Sequence, residues 1–302
     1  MCYNWCEENM KRAEYFDGIR IKNFKNDKTL NKPKKSSLFS EVDFKKSLGQ
    51  NFISDKNLLN SIANIAGINN NDCVLEIGAG AGTLTDVLAD KSKQVISYEI
   101  DKSLKPILEK LETKHSNLEI RFEDFMQANI ENIFQDSYKV VANIPYYITT
   151  PIIFKLLEYK TDISEMLFMV QKEVAERFSS IEGSKMYGIT SVILQSIADV
   201  SYEKTVKKEC FTPHPKVDSA LVKIVFRNKY NLENFEKFKS FIHASFAMRR
   251  KTLINNLTTK LNLDKEKIRT ILINLNMDFN VRPEDIKVED FIKIFNLLKI
   301  EK

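Results

Sequence analysis

The chain has 302 residues, 43% apolar and 29% charged, a composition that fits a soluble globular protein and excludes a fibrous or disordered one. No apolar run approaches the roughly 18 residues that a membrane helix needs, and the N-terminus lacks the order of a secretory signal, so no membrane partner and a cytoplasmic location are expected. The formal net charge of +5 is unevenly spread: residues 20–36 hold seven Lys/Arg and one acid, residues 204–302 hold 21 basic and 12 acidic residues, and residues 37–203 carry a net −8.

A mildly acidic middle is thus flanked by a basic arm and a basic C-terminal third. That asymmetry suits a polyanionic partner, although a solvated lysine-rich surface has the same signature. The four cysteines (Cys2, Cys6, Cys73, Cys210) are scattered, which argues against a disulfide framework and for a reducing compartment. With three histidines (His115, His214, His243) and no CxxC pair, no metal site is expected.

In chain order, residues 1–43 show no sustained period and read as a flexible basic extension with a short helix near its start. Order begins near Phe44. Leu58, Ile62, Ile65 and Ala66 have helical spacing and Gly67 fits a helix end. Strands follow at Cys73–Ile77, Val95–Glu99, Leu118–Phe122, Lys139–Ala142 and Met166–Val170, with helices from Thr83, from Ser103 and over Pro151–Leu157 between them. This alternation predicts an α/β fold with a parallel sheet covered on both faces. Val200–Val206 and Ala220–Phe226 read as a strand pair. From Leu232 onward the apolar residues recur at helical spacing, so a domain boundary is placed near residue 228 and an all-helical domain over 229–302.

Only 8 residues are glycine, and three of them, Gly78, Gly80 and Gly82, fall within five positions directly after the first strand of this alternation. Glycines there allow a tight turn and let a ligand approach the main chain. The dinucleotide fingerprint G-x-G-x-x-G would need a glycine at position 83, which is Thr83. The observed G-x-G-x-G spacing is the one associated with S-adenosylmethionine enzymes. Glu99 closes the next strand and can accept two hydrogen bonds from a ribose diol. Asp124 follows the third strand and can take an adenine amino group, with helix capping as its competing role.

After the fourth strand stands Asn143-Ile144-Pro145-Tyr146-Tyr147, beyond the carboxyl end of a parallel strand, where open α/β sheets bind ligands. Its N-x-P-Y form is similar to the signature of methyltransferases acting on amino groups conjugated to a ring. An exocyclic amine is a poor nucleophile because its lone pair is delocalised. The Asn143 side-chain oxygen and the carbonyl before Pro145 can each accept one N–H, which directs that lone pair at a methyl group and stabilises the charge that develops. Pro145 fixes the backbone, and Tyr146 offers a face for an extruded base.

The ordered motifs resemble the small-subunit ribosomal RNA adenine dimethyltransferases (the KsgA family) from about Phe44 to the C-terminus. Lys46-Ser47-Leu48-Gly49-Gln50-Asn51-Phe52, the segment Glu76–Thr85, Tyr98–Asp101, Asn143–Thr150, Tyr187–Val192 with Gln195, Phe211–Ser219 and Phe246–Leu253 match the family's motifs in order. Ala79 stands where the family often has Pro, and Tyr147 where Asn or His is usual. The resemblance implies a Rossmann-like S-adenosylmethionine methyltransferase domain over 44–228. It implies a cofactor pocket of Asn51, Ile53, Gly78, Gly80, Glu99, Asp124 and Asn143, and a target adenine between Tyr146 and Phe211. Arg249, Arg250 and Lys251 would hold rRNA phosphates, a run that by itself also reads as a solvated helix end. The implied reaction is N6-dimethylation of two adjacent adenosines in the 3′-terminal hairpin of small-subunit rRNA, by a monomer acting within a pre-ribosomal particle. Two alternatives share the fold: a large-subunit rRNA adenine methyltransferase of the macrolide-resistance type, and a non-catalytic nucleic-acid-binding factor.

Overall fold

The computed structural model describes residues 15–16, 19–20, 50–227, 230, 232 and 234–299. Contacts divide the chain into two units, Met1–Lys34 and Lys35–Lys302. In the first, Tyr15–Phe16 and Ile19–Arg20 pair antiparallel. The expected start of order near Phe44, the rest of the extension and the Lys46–Gly49 part of the opening motif lie outside the described residues.

The second unit is built on a seven-stranded sheet. Its elements, in chain order, are β1 (Phe52–Ile53), α1 (Lys56–Ile65), β2 (Cys73–Ile77), α2 (Thr83–Lys91), β3 (Gln94–Tyr98), α3 (Lys105–Lys114), β4 (Leu118–Arg121), β5 (Tyr138–Asn143), α4 (Thr149–Leu157), β6 (Ile163–Gln171), α5 (Lys172–Phe178), α6 (Ile189–Gln195), β7 (Ala198–Val206), β8 (Phe211–Thr212), β9 (Ser219–Phe226), α7 (Phe235–Ser245), α8 (Leu253–Leu261), α9 (Lys265–Asn274) and α10 (Val288–Leu298). The sheet runs β4-β3-β2-β5-β6-β9-β7. Strands β4 to β6 are mutually parallel, and β9 joins β6 and β7 antiparallel. The sheet is therefore mixed where the sequence pattern predicts a parallel one. The strand order reverses at β2, which leaves a crevice past the carboxyl ends of β2 and β5.

Every residue of β2 is buried. Period-two alternation splits them between the faces: Cys73, Leu75 and Ile77 join one apolar cluster and Val74 the other. The first cluster also takes in Phe238, Phe241, Ile268, Leu272, Phe291 and Leu298, so the C-terminal helices share a core with one face of the sheet. On the other face, Asp55 caps α1 by accepting from Asn57 N at 2.8 Å. The carbonyls at the end of α1 are met by lysines rising from the sheet: Lys139 Nζ donates to Ala66 O at 3.1 Å and Lys223 Nζ to Ile65 O at 3.1 Å. Among the described residues, no helix is long and apolar enough to cross a membrane.

Candidate active site

A pocket opens at the crevice. Its wall includes Asn51, Phe52, Ile53, Gly78, Gly80, Glu99, Asp124, Asn143, Pro145 and Tyr146. All of the expected cofactor residues line it, and so do three of the four expected catalytic ones. The three loop glycines have positive φ, at +85°, +57° and +80°, the left-handed region that favours glycine.

Their surroundings separate their roles. Gly78 N donates to Tyr98 O at 2.8 Å, which ties the loop to the end of β3. A Cβ on Gly80 would stand 2.9 Å from the Phe52 ring, whereas one on Gly82 would run into Leu111 of α3. Gly82 does not line the pocket. The first two glycines shape the wall, and the third lets α2 and α3 close up.

Glu99 is almost fully buried and accepts from Gly80 N and Asp101 N, each at 2.7 Å. Burial pushes its pKa up, and the backbone donors pull against that shift. A carboxylate has about four acceptor sites, so Glu99 can still accept from a ribose hydroxyl. Asp124 lines the pocket and also caps its own turn: Oδ1 accepts from Met126 N at 2.9 Å and Oδ2 from Gln127 Nε2 at 3.3 Å. Both roles anticipated for this residue are therefore geometrically open to it.

On the opposite side, Asn143 Nδ2 donates to Asn51 O at 3.0 Å. That bond orients the amide and assigns Oδ1 as the acceptor end. Tyr146 shares a hydrogen bond with Ser219 Oγ at 2.6 Å, and burial raises the pKa of its phenol. Phe211 is the expected residue that stands apart. It is 1% exposed, packs in the same apolar cluster as Phe52 and Ile53, and pairs with Ile53 across the two-residue strands β1 and β8. Arg249, Arg250 and Lys251 are exposed in the turn between α7 and α8, away from the pocket wall. The buried Asn256 side chain grips that turn, accepting from Met248 N at 2.9 Å and donating to Met248 O at 3.3 Å.

Sequence reasoning missed Glu76. Its carboxylate is 1% exposed, and Oε2 accepts from Thr85 Oγ1 and Ser97 Oγ at 2.7 Å each. Oε1 has no hydrogen-bond partner among the described residues, and burial pushes the pKa up to about 7. The signal was present: an acid inside an otherwise apolar strand demands a reason.

The pocket wall carries four acids, Glu76, Glu99, Glu123 and Asp124, and no Lys, Arg or His among the described residues. A pyrophosphate would be repelled there. A nucleoside bearing a cationic sulfonium fits, with carboxylates for its hydroxyls and glycines that let it approach the main chain. A doubly wound sheet with this pocket at its switch point defines the class, an S-adenosylmethionine-dependent methyltransferase. The profile of the ribosomal RNA adenine dimethylase family matches residues 41–299, and the chain belongs to that family. Its reaction is methyl transfer to adenine of ribosomal RNA, with S-adenosylmethionine as donor.

Relatives agree with that placement. The chain is 42% identical over 265 residues to ribosomal RNA small subunit methyltransferase A of Mesoplasma florum, covering 85% of this chain and 98% of that protein. It is 41% identical over 266 residues to the protein of the same name from Bacillus cytotoxicus, covering 84% and 91%. Among solved structures it is similar to a dimethyladenosine transferase from Plasmodium falciparum (28% identity, TM-score 0.72, covering 82% and 98%). It is also similar to the 23S rRNA methyltransferase ErmE (27% identity, TM-score 0.67, covering 83% and 100%).

Proposed function

We propose that this enzyme dimethylates N6 of two adjacent adenosines in the 3′-terminal hairpin of small-subunit rRNA, acting as a cytoplasmic monomer on a pre-ribosomal particle. One observation carries the acceptor assignment: Asn143, held by Asn51 O at 3.0 Å, stands beside Pro145 and Tyr146 on the rim of an acid-lined pocket. The small-subunit assignment rests on relatives about 40% identical along nearly their whole length that carry that name. The likeness to ErmE supports a second reading, transfer to a large-subunit adenine.

Glu99 would hold the ribose diol, Asp124 the adenine amino group, and Gly78, Gly80, Asn51 and Ile53 would enclose the nucleoside. S-adenosylmethionine supplies an electrophilic methyl group on sulfur. In the first transfer Asn143 Oδ1 and the Ile144 carbonyl accept hydrogen bonds from the two N–H groups of the target amine, and in the second one of them accepts from the N–H that remains; this aims the lone pair along the line of displacement. No strong base is needed, because the nitrogen proton becomes acidic as the new bond forms. The target base stacks on Tyr146. Phe211 is proposed as the second face of that stack, which requires its ring to leave the buried position it holds on the strand paired with Ile53.

In this division of labour residues 44–228 carry the transfer. Residues 229–302 grip rRNA through Arg249, Arg250 and Lys251. The acidic middle suits the cationic donor and leaves attraction of RNA to the flanks. The test is transfer of labelled methyl from S-adenosylmethionine to undermethylated small subunits and, in parallel, to large subunits. Incorporation into small subunits alone supports the proposal, label in large subunits supports the second reading, and no incorporation in either overturns both.

A further inference from the structure

The segment after β4 is a tight turn. Asp124 O accepts from Gln127 N at 2.9 Å and Ala128 N at 3.1 Å. The carbonyls of Phe125, Met126 and Ala128 converge outside this turn on a single point. Three carbonyl dipoles aimed at one point repel each other unless a cation stands there. That point is Lys155 Nζ, at 2.6, 3.0 and 2.5 Å from the three oxygens. An ammonium has three N–H donors, so its tetrahedral head matches the three acceptors. The same Nζ lies 5.1 Å from the Phe125 ring centroid, and that ring meets Tyr98 edge-on at 5.3 Å. Tyr98 directly precedes Glu99.

Lys155 does not line the pocket. It stands on α4, the helix that starts two residues after Tyr147. One side chain therefore joins the helix behind the acceptor motif to the turn that presents Asp124, and through Phe125 to the strand end that presents Glu99.

We infer that Lys155 is a positioning residue for the nucleoside half of the cofactor, holding the Asp124 turn in its binding shape from the acceptor side of the pocket. The inference rests on the assignment of this pocket to S-adenosylmethionine. Without the ammonium, the three carbonyls splay toward water and the turn holds its binding shape only part of the time. Apparent affinity then falls in proportion to that fraction.

The experiment compares the parent chain with Lys155→Met, which keeps the stem and loses the charge, and Lys155→Gln, which keeps two N–H donors. Dissociation constants are measured by calorimetry for S-adenosylhomocysteine and for methylthioadenosine, which lacks the amino-acid tail, together with RNA affinity and melting temperature. In Lys155→Met both ligands should weaken by the same factor, on the order of tenfold, with Lys155→Gln in between and RNA affinity unchanged. In steady state KM for the donor should rise while kcat is retained. Parent-like binding of both ligands by a folded variant would overturn the inference, as would a loss shared equally with RNA affinity. Failure of the parent chain itself to bind S-adenosylhomocysteine would instead overturn the cofactor assignment, and the role of Lys155 with it.

Discussion

The hydroxyl of Tyr146 meets the hydroxyl of Ser219 at 2.6 Å, across 73 residues of chain. Ser219 is fully buried at the start of β9, and Tyr146 stands on the pocket rim. The bond fixes the ring that is proposed to carry the target base. Tyr146→Phe and Ser219→Ala should each lower kcat/KM for RNA by about tenfold, a loss in the range of one buried hydrogen bond. The double variant should lose little more than either single one, because both changes remove the same contact. A double-mutant cycle on kcat/KM, with cofactor affinity as control, checks this.

Asn143→Ala should separate binding from chemistry. It removes an acceptor that matters only as charge develops on the attacking nitrogen, so transfer should fall by roughly a hundredfold or more. Cofactor affinity should be largely kept, since Glu99, Asp124 and the glycines remain. Single-turnover transfer alongside calorimetric binding measures the two effects, and full activity in this variant would contradict the assigned role.

Glycines 80 and 82 should respond differently to the same added methyl. Gly82→Ala places a Cβ against Leu111 at φ +80° and should cost roughly 1–3 kcal/mol of stability, with cofactor affinity retained in the folded protein. Gly80→Ala presses on the Phe52 ring in the pocket wall and should weaken cofactor binding more than it lowers the melting temperature. Thermal unfolding and ligand titration of the two variants distinguish packing from pocket.

Those glycines also mark how far the sequence alone could be read. The spacing located the loop and its ligand class, because a strand–turn–helix pattern with clustered glycine has few other uses. It could not divide the three, since Leu111 reaches Gly82 only through the packing of α2 against α3. The β2 to β6 strands were legible as short apolar runs set between turns and helices, and the C-terminal helices because their apolar residues recur at helical spacing. The strands β1 and β8 are two residues each and have no period, so the pairing of Ile53 with Phe211 was invisible, and so was the burial of Phe211. Lys155 and Ser219 act through contacts 27 or more residues away in the chain, and nothing local announces such partners.

Glu76 should make the cofactor-free protein sensitive to pH. Its carboxyl titrates near 4.5 when exposed and about 7 when buried in the fold. Between those values the native state holds a proton that the unfolded chain has released, so stability falls as pH rises through this window. The contribution is complete below about 4.5 and is lost above about 7. Glu76→Gln should flatten the dependence of melting temperature on pH between about 5 and 7, and thermal scans across that range check it.

Replacing Arg249, Arg250 and Lys251 together by Ala should weaken RNA binding and reduce the slope of log affinity against log salt by about 2–3, the value for three lost phosphate contacts. The turn is held by Asn256 rather than by these side chains, so the fold should persist. Filter binding across a salt series measures both quantities. Unchanged affinity and slope would remove this turn from the RNA interface.

The most direct test is the modified nucleoside itself. Small subunits lacking the modification are incubated with the enzyme and S-adenosylmethionine, and their rRNA is digested and analysed by mass spectrometry. N6,N6-dimethyladenosine is expected at two adjacent positions of the 3′-terminal hairpin, and strongly reduced when Asn143→Ala replaces the parent enzyme. Methylation confined to another site, or undiminished in that variant, would contradict the proposed function.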